Sequence, residues 1–365
     1  MRIPKVRAWV TFPAALLVLI VLAVAGFVLF RDPPVEPFEP VAWDPPAALT
    51  APAVIAAGDI VPLTGTEVDG PEDLAVDEGG LVYTGDRQGR ILRVDPATGR
   101  AEVFAQVGGR PLGLVFATDG GLIVANHGVG LQSVTPDGRV RLLTAAAGGS
   151  PIRFANDVTL APDGTIYFSD ASSQHHVGTL GAVPSYSLYD LIEGRPHGRL
   201  LRFDPSTGRT TELLTGLYFP NGVVATADGS AVLVAESTRY RITRYQLATG
   251  NADVLVDGLP GLADGFTRAA DGTLLLALYD RVTALDRYVL PYRWARGLLV
   301  RLPQSMLLDE DRPQAGSILV LTDSGDVVRH LVGAAPAAAN VVPYRDRWLI
   351  GSLTGDRIRV MSPPA

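Results

Sequence analysis

The chain has 365 residues, of which 47% are hydrophobic, so it can bury a large core, and its 39 glycines and 28 prolines indicate a β-rich fold with many turns. A formal net charge of −7 disfavours a nucleic-acid partner. The absence of cysteine excludes disulfides, thiolate metal sites and a cysteine nucleophile.

The N-terminus carries a targeting signal. Residues 1–11 are basic, and the 19 residues of segment 12–30 contain no charge, which predicts a single transmembrane helix with a cytoplasmic N-terminus. Everything after residue 31 would then be periplasmic or extracellular. The alternative is a signal peptide cleaved after Ala25, which would leave a secreted protein lacking residues 1–25. Residues 31–52 are proline-rich and are expected to form a stiff, extended linker before a single domain, residues 53–365.

A phrase consisting of a polar residue, a short strand, a turn and a second strand occurs six times, with a unit of about 42 residues. The copies begin at Glu72, Leu112, Asn156, Asn221, Asp264 and near Asn340. Such a period predicts an all-β fold, a six-bladed β-propeller with four short strands per blade.

A second repeated phrase predicts a further strand in each unit. Its copies span residues 89–100, 138–144, 198–209, 239–251, 297–303 and 355–361. Two units carry insertions, at about 172–197 and 280–315, which are expected to overhang one face as lids or binding loops. A strand within residues 54–63 should pair with the last blade and close the ring.

The heads of the repeated phrases predict a metal site. The innermost strands of a propeller line its central channel, so residues in the same phase converge on the axis. Four heads offer side-chain oxygens, Glu72, Asn156, Asn221 and Asp264, and this set suits Ca²⁺, although another divalent cation stays possible. The alternative is that each residue only forms a turn.

The motifs PEDLAVD, FANDV with DGTIYFSDAS, HGRLLRFDP, GLYFPNGVV and GLPGLADGF occur in this order between about residues 55 and 361. The chain resembles the strictosidine-synthase-like and adipocyte plasma-membrane-associated protein-like family, within the superfamily of gluconolactonases (senescence marker protein, SMP-30) and paraoxonases. The resemblance implies a six-bladed propeller with calcium held by the same four heads. It also implies a possible second, structural calcium at Asp73 and Asp157, which could instead accept backbone N–H groups.

The chain departs from the family at several positions. The residue after Asp264 is Gly265, so one possible ligand is missing. A paraoxonase histidine is replaced by Leu112, whereas His127 matches a second one and is a candidate general base or a structural residue. The glutamate of strictosidine synthase falls at Ala339 or Asn340, which disfavours the alkaloid-forming condensation.

The insertions supply candidate substrate-pocket residues, namely His175, His176, Tyr292 and Trp294, although ordinary loop residues are the alternative. No serine-hydrolase, zincin or nucleotide-binding motif occurs, so no nucleotide cofactor is expected.

These features together predict a membrane-anchored, extracytoplasmic, Ca²⁺-dependent esterase or lactonase acting on a small-molecule substrate. Glu72 and Asp264 would be catalytic through the charge of the metal site, with His127 as a further candidate. The alternative is a non-catalytic propeller, stabilised by calcium, that binds a protein or carbohydrate partner.

Overall fold

The computed structural model describes residues 16, 18, 19, 22, 23 and 25–364, apart from 57, 66, 182–184, 308–314 and 336. The predicted cytoplasmic segment 1–11 and part of the predicted anchor 12–30 lie outside the described residues. Within that anchor, residues 25–30 are helical. Across the described part of the chain, no helix combines the length and the apolar character that a membrane span requires.

The described residues form six blades, as predicted, each with four antiparallel strands, and blade 5 carries a fifth, parallel strand. Their strands, from the innermost outward, are Leu74–Val76, Val82–Gly85, Arg90–Asp95 and Arg100–Gln106 in blade 1; Arg110–Phe116, Leu122–His127, Gly130–Val134 and Val140–Thr144 in blade 2; Ala155–Leu160, Ile166–Asp170, Gly198–Asp204 and Arg209–Leu217 in blade 3; Pro220–Ala225, Ala231–Glu236, Arg241–Gln246 and Ala252–Asp257 in blade 4; Gly261–Arg268, Leu274–Asp280, Ser317–Leu321 and Val327–Val332 in blade 5; and Ala338–Tyr344, Arg347–Ser352 and Arg359–Met361, with Ile60–Pro62 outermost, in blade 6. A short ladder of Ala146–Ala147 with Ser150–Pro151 precedes blade 3.

Aspartate–glycine turns join the first two strands of most blades. In blade 3 the Asp163 carboxylate accepts the Thr165 N–H at 2.9 Å, and Gly164 adopts a φ of 82°. An aspartate that accepts a backbone N–H, followed by a glycine with a positive φ, is the residue pair that a tight turn favours. The second strands, which follow these turns, are apolar on both faces because each blade packs between two neighbouring blades. Between blades 4 and 5, for example, Leu233 lies in one core cluster with Leu276 and Leu319.

Two N-terminal strands close the ring. Ile60–Pro62 pairs antiparallel with Arg359–Met361, which confirms the predicted closure of the last blade. Val54–Ala56 was expected in the same strand, but it pairs in parallel with residues 330–332 of blade 5. The N-terminal part of the domain therefore ties two blades together.

The insertions are helical. The first contains α1 (Val177–Leu180) and α2 (Tyr186–Glu193), and the second contains α3 (Thr283–Tyr288), α4 (Arg293–Leu299) and α5 (Gln304–Leu307).

The predicted strand at 297–303 is wrong, since its first part is helix α4 and the third strand of blade 5 is Ser317–Leu321. Short apolar runs do not distinguish a buried strand from a helix. Here Leu299 and Val300 pack against Ile192 of α2, so contact between the two insertions favours the helix.

Residues 31–52, called the N-terminal segment below, contain neither helix nor strand but do not project as a stalk. Their backbone N–H groups reach the insertions, with Val41 donating to the Glu193 carbonyl at 2.9 Å and Trp43 to the Leu290 carbonyl at 3.0 Å. The Arg239 guanidinium lies 4.4 Å from the Trp43 ring centre. The segment is therefore docked on the face that the insertions cover.

Candidate metal centre

The head residues occupy irregularities between the first and second strands of their blades. In blades 2 to 6 the pairing register shifts across Leu112, across Asn156 with Asp157, across Asn221 with Gly222, across Asp264 with Gly265, and across Ala339. Glu72 and Asp73 directly precede the first strand of blade 1. Because a bulge bends its strand and redirects a side chain, the repeated irregularity places these residues at the channel.

All six heads line one small cavity on the propeller axis. The lining residues are Glu72, Asp73, Leu112, Asn156, Asp157, Asn221, Asp264, Gly265, Ala339 and Asn340. The cavity volume of about 10 Å³ is room for about one water-sized particle. The four residues predicted as ligands therefore come together, and both candidates for the sixth head, Ala339 and Asn340, are present.

The carboxyl groups around the cavity have perturbed pKa values. Burial, and next the Glu72 charge, hold the pKa of Asp264 well above its usual range. Burial also raises the pKa of Glu72, although Arg110, whose Nη2 lies 3.4 Å from Glu72 Oε2, opposes that rise. Enclosed like charges are costly unless a cation or protons neutralise them, so this donor set fits a divalent cation bound by oxygen.

Asp73 and Asp157 form backbone contacts that connect blades. The Asp73 oxygens accept the N–H groups of Leu74 at 2.7 Å and of Leu114, in blade 2, at 2.5 Å. Asp157 accepts those of Val158 and of Val223, in blade 4, both at 2.8 Å. This arrangement is the backbone-binding alternative described above, and a structural calcium at these two residues stays a prediction.

Gly265 has a packing role. A Cβ atom there would lie 2.7 Å from Asn340 Nδ2, so the missing side chain leaves the space that the Asn340 carboxamide occupies. The Asn340 Oδ1 accepts a hydrogen bond from the Thr267 hydroxyl at 3.1 Å. Asn340 thus brings a carboxamide to the cavity next to the position where the family has another possible ligand.

His127 lies at the same end of the propeller but is engaged in packing. Its ring stacks on Phe154 with 3.8 Å between ring centres, and its Nε2 accepts the Val177 N–H at 3.1 Å. Burial, assisted by His176 and Arg110, lowers the pKa of His127 to about 3. His127 is therefore neutral, and its Nε2 is already in use.

The four predicted pocket residues do not line the cavity. His175 is fully buried against Glu193, and His176 is buried and caps helix α1 through a hydrogen bond from the Gly178 N–H at 3.0 Å. Tyr292 and Trp294 are 48% and 68% exposed on the second insertion. The insertions pack as helices, which the sequence analysis did not predict, and this packing keeps the four side chains away from the central cavity.

Sequence reasoning missed two residues of the site. Arg110 stands two positions before the head Leu112 and contacts Glu72 across the blade boundary. Tyr279, near the end of the second strand of blade 5, lies beside Asp264, and burial and the Asp264 charge raise its pKa. The position of Arg110 in the repeat, two residues before a head, was the feature of the sequence that could have identified it as a residue of the site.

Known proteins share both sequence and fold with this chain. The model of the SMP-30/gluconolactonase/LRE-like region matches residues 72–289. Strictosidine synthase-like protein 4 of Arabidopsis thaliana is 34% identical over 273 residues, covering 70% of this chain and 72% of that protein. An adipocyte plasma membrane-associated protein of Salmo salar is 31% identical over 287 residues, covering 71% of this chain and 66% of that protein.

Solved structures share the architecture at low sequence identity. A gluconolactonase from Xanthomonas campestris has a TM-score of 0.63 at 19% identity, covering 92% of this chain and 100% of that one. A calcium-binding protein, regucalcin, from Agrobacterium tumefaciens has a TM-score of 0.58 at 16% identity, covering 85% and 95%. With its propeller, its phased heads and these similarities, the chain belongs to the SMP-30/gluconolactonase-like family and is related within it to the strictosidine synthase-like proteins.

Proposed function

We propose that this protein is a Ca²⁺-dependent hydrolase of esters or lactones. The observation that carries the proposal is the convergence of Glu72, Asn156, Asn221 and Asp264, from four different blades, on one small cavity. The gluconolactonase and the calcium-binding regucalcin of the same architecture support both the reaction class and the cation.

The two carboxylates and the two carboxamides would have different roles in the site. Glu72 and Asp264 supply negative charge, while Asn156 and Asn221 supply neutral oxygens that leave a bound cation electrophilic. When bound, the cation would polarise the carbonyl of an ester or lactone. Because His127 is neutral and its Nε2 accepts a backbone N–H, we assign the proton lost by the attacking water to a carboxylate of the cluster.

We also propose that the enzyme works outside the cytoplasm while anchored to a membrane. The uncharged segment 12–30 behind a basic N-terminus supports this placement. The similarity to a plasma membrane-associated protein is consistent with it.

A calcium-stabilised scaffold is the second candidate. The observation that favours it is the small size of the cavity, about 10 Å³, which is room for about one ion or water molecule. In a scaffold the cation would stabilise the fold and the outer face would bind a partner.

Hydrolysis assays on the full-length protein in detergent separate these candidates. A panel of aryl esters and lactones is tested after chelation, and again after Ca²⁺ is restored. We expect calcium-dependent turnover that falls by roughly 100-fold or more in Asp264→Asn, because a charged ligand is lost. The matched control is Asp137→Asn, on an exposed turn of blade 2.

Circular dichroism must show that both variants are folded. Full activity in Asp264→Asn would refute the assigned site. A folded, calcium-loaded protein without turnover across the panel would favour the scaffold.

A further inference from the structure

A compact group of metal-binding side chains lies in the first insertion, away from the central cavity. The Nε2 atoms of His175 and His197 lie 2.7 and 2.8 Å from the same carboxylate oxygen, Glu193 Oε2. These three ligand atoms are all within 4.8 Å of one another. None of the three residues lines the cavity on the axis.

The three residues come from separate parts of the insertion. His175 follows the second strand of blade 3, Glu193 ends helix α2, and His197 directly precedes the third strand of blade 3. The Ser173 N–H also donates to the His197 carbonyl at 3.0 Å, which holds the two histidine-bearing stretches together. Local folding of the insertion therefore assembles the group.

The group is enclosed. His175 is 0% exposed and Glu193 is 2% exposed, while the His197 side chain is 19% exposed. The second Glu193 oxygen, Oε1, accepts the Glu39 N–H of the N-terminal segment at 3.2 Å. The N-terminal segment thus covers the group on the side of Glu193.

A second carboxyl group lies beside these three residues. Asp190, one helical turn before Glu193, is fully buried, and its charged neighbours include both imidazoles and Glu193. The Ser172 hydroxyl lies beside the Asp190 carboxyl group, and in the described part of the chain His175 Nδ1 has no hydrogen-bond partner. The nearest arginine in sequence, Arg195, pairs with Glu39 instead.

The charges and donor types indicate what the group would bind. When both imidazoles are neutral and both carboxyl groups are ionised, the group carries two negative charges, which a single divalent cation would neutralise. Two imidazole nitrogens and a carboxylate oxygen suit Zn²⁺ and similar transition metals, whereas the all-oxygen donors of the central cavity suit Ca²⁺.

We infer that His175, Glu193 and His197 form a transition-metal site, best suited to Zn²⁺, that is distinct from the central oxygen site. Ligand atoms around a tetrahedral zinc lie about 3.3–3.5 Å apart, so each imidazole withdraws from Glu193 by roughly half an ångström on loading. The ion links the loop after Asp170, the end of α2 and the third strand of blade 3. Its role is to secure the first insertion over the propeller face.

Metal titration of the full-length protein in detergent tests this site directly. The chelator-treated protein is kept in excess Ca²⁺, so that the oxygen site is filled, and is titrated with Co²⁺ as a coloured substitute for Zn²⁺. We expect one Co²⁺ per chain, with visible absorption bands that Zn²⁺ abolishes by displacement.

Variants locate the bound ion. His197→Gln, at the least buried ligand, should weaken Co²⁺ binding by more than the roughly 10–100-fold typical of an outer-shell change. His330→Gln, on the outer strand of blade 5, should bind as the wild-type protein does. Circular dichroism checks that both are folded.

Two results would overturn the inference. One is a folded wild-type protein that binds neither Co²⁺ nor Zn²⁺ in the presence of Ca²⁺, which would leave a hydrogen-bonded network neutralised by protons. The other is equal binding by His197→Gln and His330→Gln, which would place the ion elsewhere.

Discussion

Asp157 shows how a single residue can serve both the fold and the candidate site. Its oxygens bind backbone N–H groups of blades 3 and 4, yet its side chain also lines the central cavity. Burial raises the pKa of Asp157 to about 7, although the Val223 and Val158 N–H groups oppose that rise. Asp157 therefore joins Glu72 and Asp264 in a cluster of buried carboxyl groups that would hold either protons or the proposed cation.

This cluster predicts that stabilisation by calcium depends on pH. In the cation-free protein the raised pKa of Asp157 means that the folded state holds a proton that the unfolded chain loses near pH 4. The stabilisation of the folded state by this proton is fully present below about pH 4 and is lost as the pH rises through about 7. Calcium should therefore raise Tm more at pH 8 than at pH 5, where it competes with protons.

Scanning calorimetry with Ca²⁺ or with chelator, at both pH values, checks this prediction. Equal increases in Tm at pH 5 and pH 8 would show that these carboxyl groups do not bind the cation. Asp264→Asn provides the comparison, since it removes one competing charge and should reduce the difference.

At the level of elements, an acid at the end of the second strand recurs with an arginine at the start of the third. Asp170 pairs with Arg199 at 2.9 Å, and Glu236 pairs with Arg241 at 2.7 Å. Asp170 Oδ1 also accepts the Phe154 N–H at 2.7 Å, beside the head of blade 3. These two pairs fix the ends of the second strands of blades 3 and 4, beside the heads Asn156 and Asn221.

Removing one such acid should be costly. Asp170→Ala leaves the buried Phe154 N–H without its acceptor and removes one of the two carboxylates that pair with Arg199, which keeps Glu212 at 3.0 Å, so we expect a loss of about 1–3 kcal/mol in the free energy of unfolding. The control is Asp253→Ala, which breaks the exposed pair of Asp253 with Arg244, also 2.9 Å long, and should cost about 0–1 kcal/mol. Urea unfolding measures both, and similar losses would contradict the role of the buried pair.

The whole molecule depends on closing its ring. Ile60–Pro62 completes blade 6 from the opposite end of the domain, while Val54–Ala56 extends blade 5. Ile60 packs on the core between these blades, whereas Val54 is 54% exposed. Ring closure therefore relies on a short strand with one half-buried anchor.

A substitution at this anchor tests the closure. Ile60→Asn should lower the free energy of unfolding by about 1–3 kcal/mol, because apolar burial is lost where the ends of the domain meet. Val54→Asn should change it by less than about 0.5 kcal/mol, as is usual for exposed positions. Calorimetry compares the two, and equal effects would indicate that the ring does not depend on the Ile60 contact.

Much of the fold and of the central site could be predicted because both depend on a repeat. The same pattern in six units placed Glu72, Asn156, Asn221 and Asp264 in one phase, and a closed propeller brings equal phases to one axis. The insertions could not be read in this way, since nothing repeats within them. The helix at Arg293–Leu299 follows from contacts between the two insertions, and the enclosure of His175 follows from packing against Glu193 within the first insertion.

The amino-acid sequence by itself determined the number of blades, the identity of the head residues and the positions of the insertions. These features are encoded by local turn chemistry and by the period of the strands, which need no knowledge of distant contacts. Only the tertiary structure decided that Arg110 reaches Glu72, that His127 is neutral and packed, and that His175, Glu193 and His197 meet. Those properties depend on burial and on the packing of blades and insertion helices against one another, and neither leaves a periodic mark in the sequence.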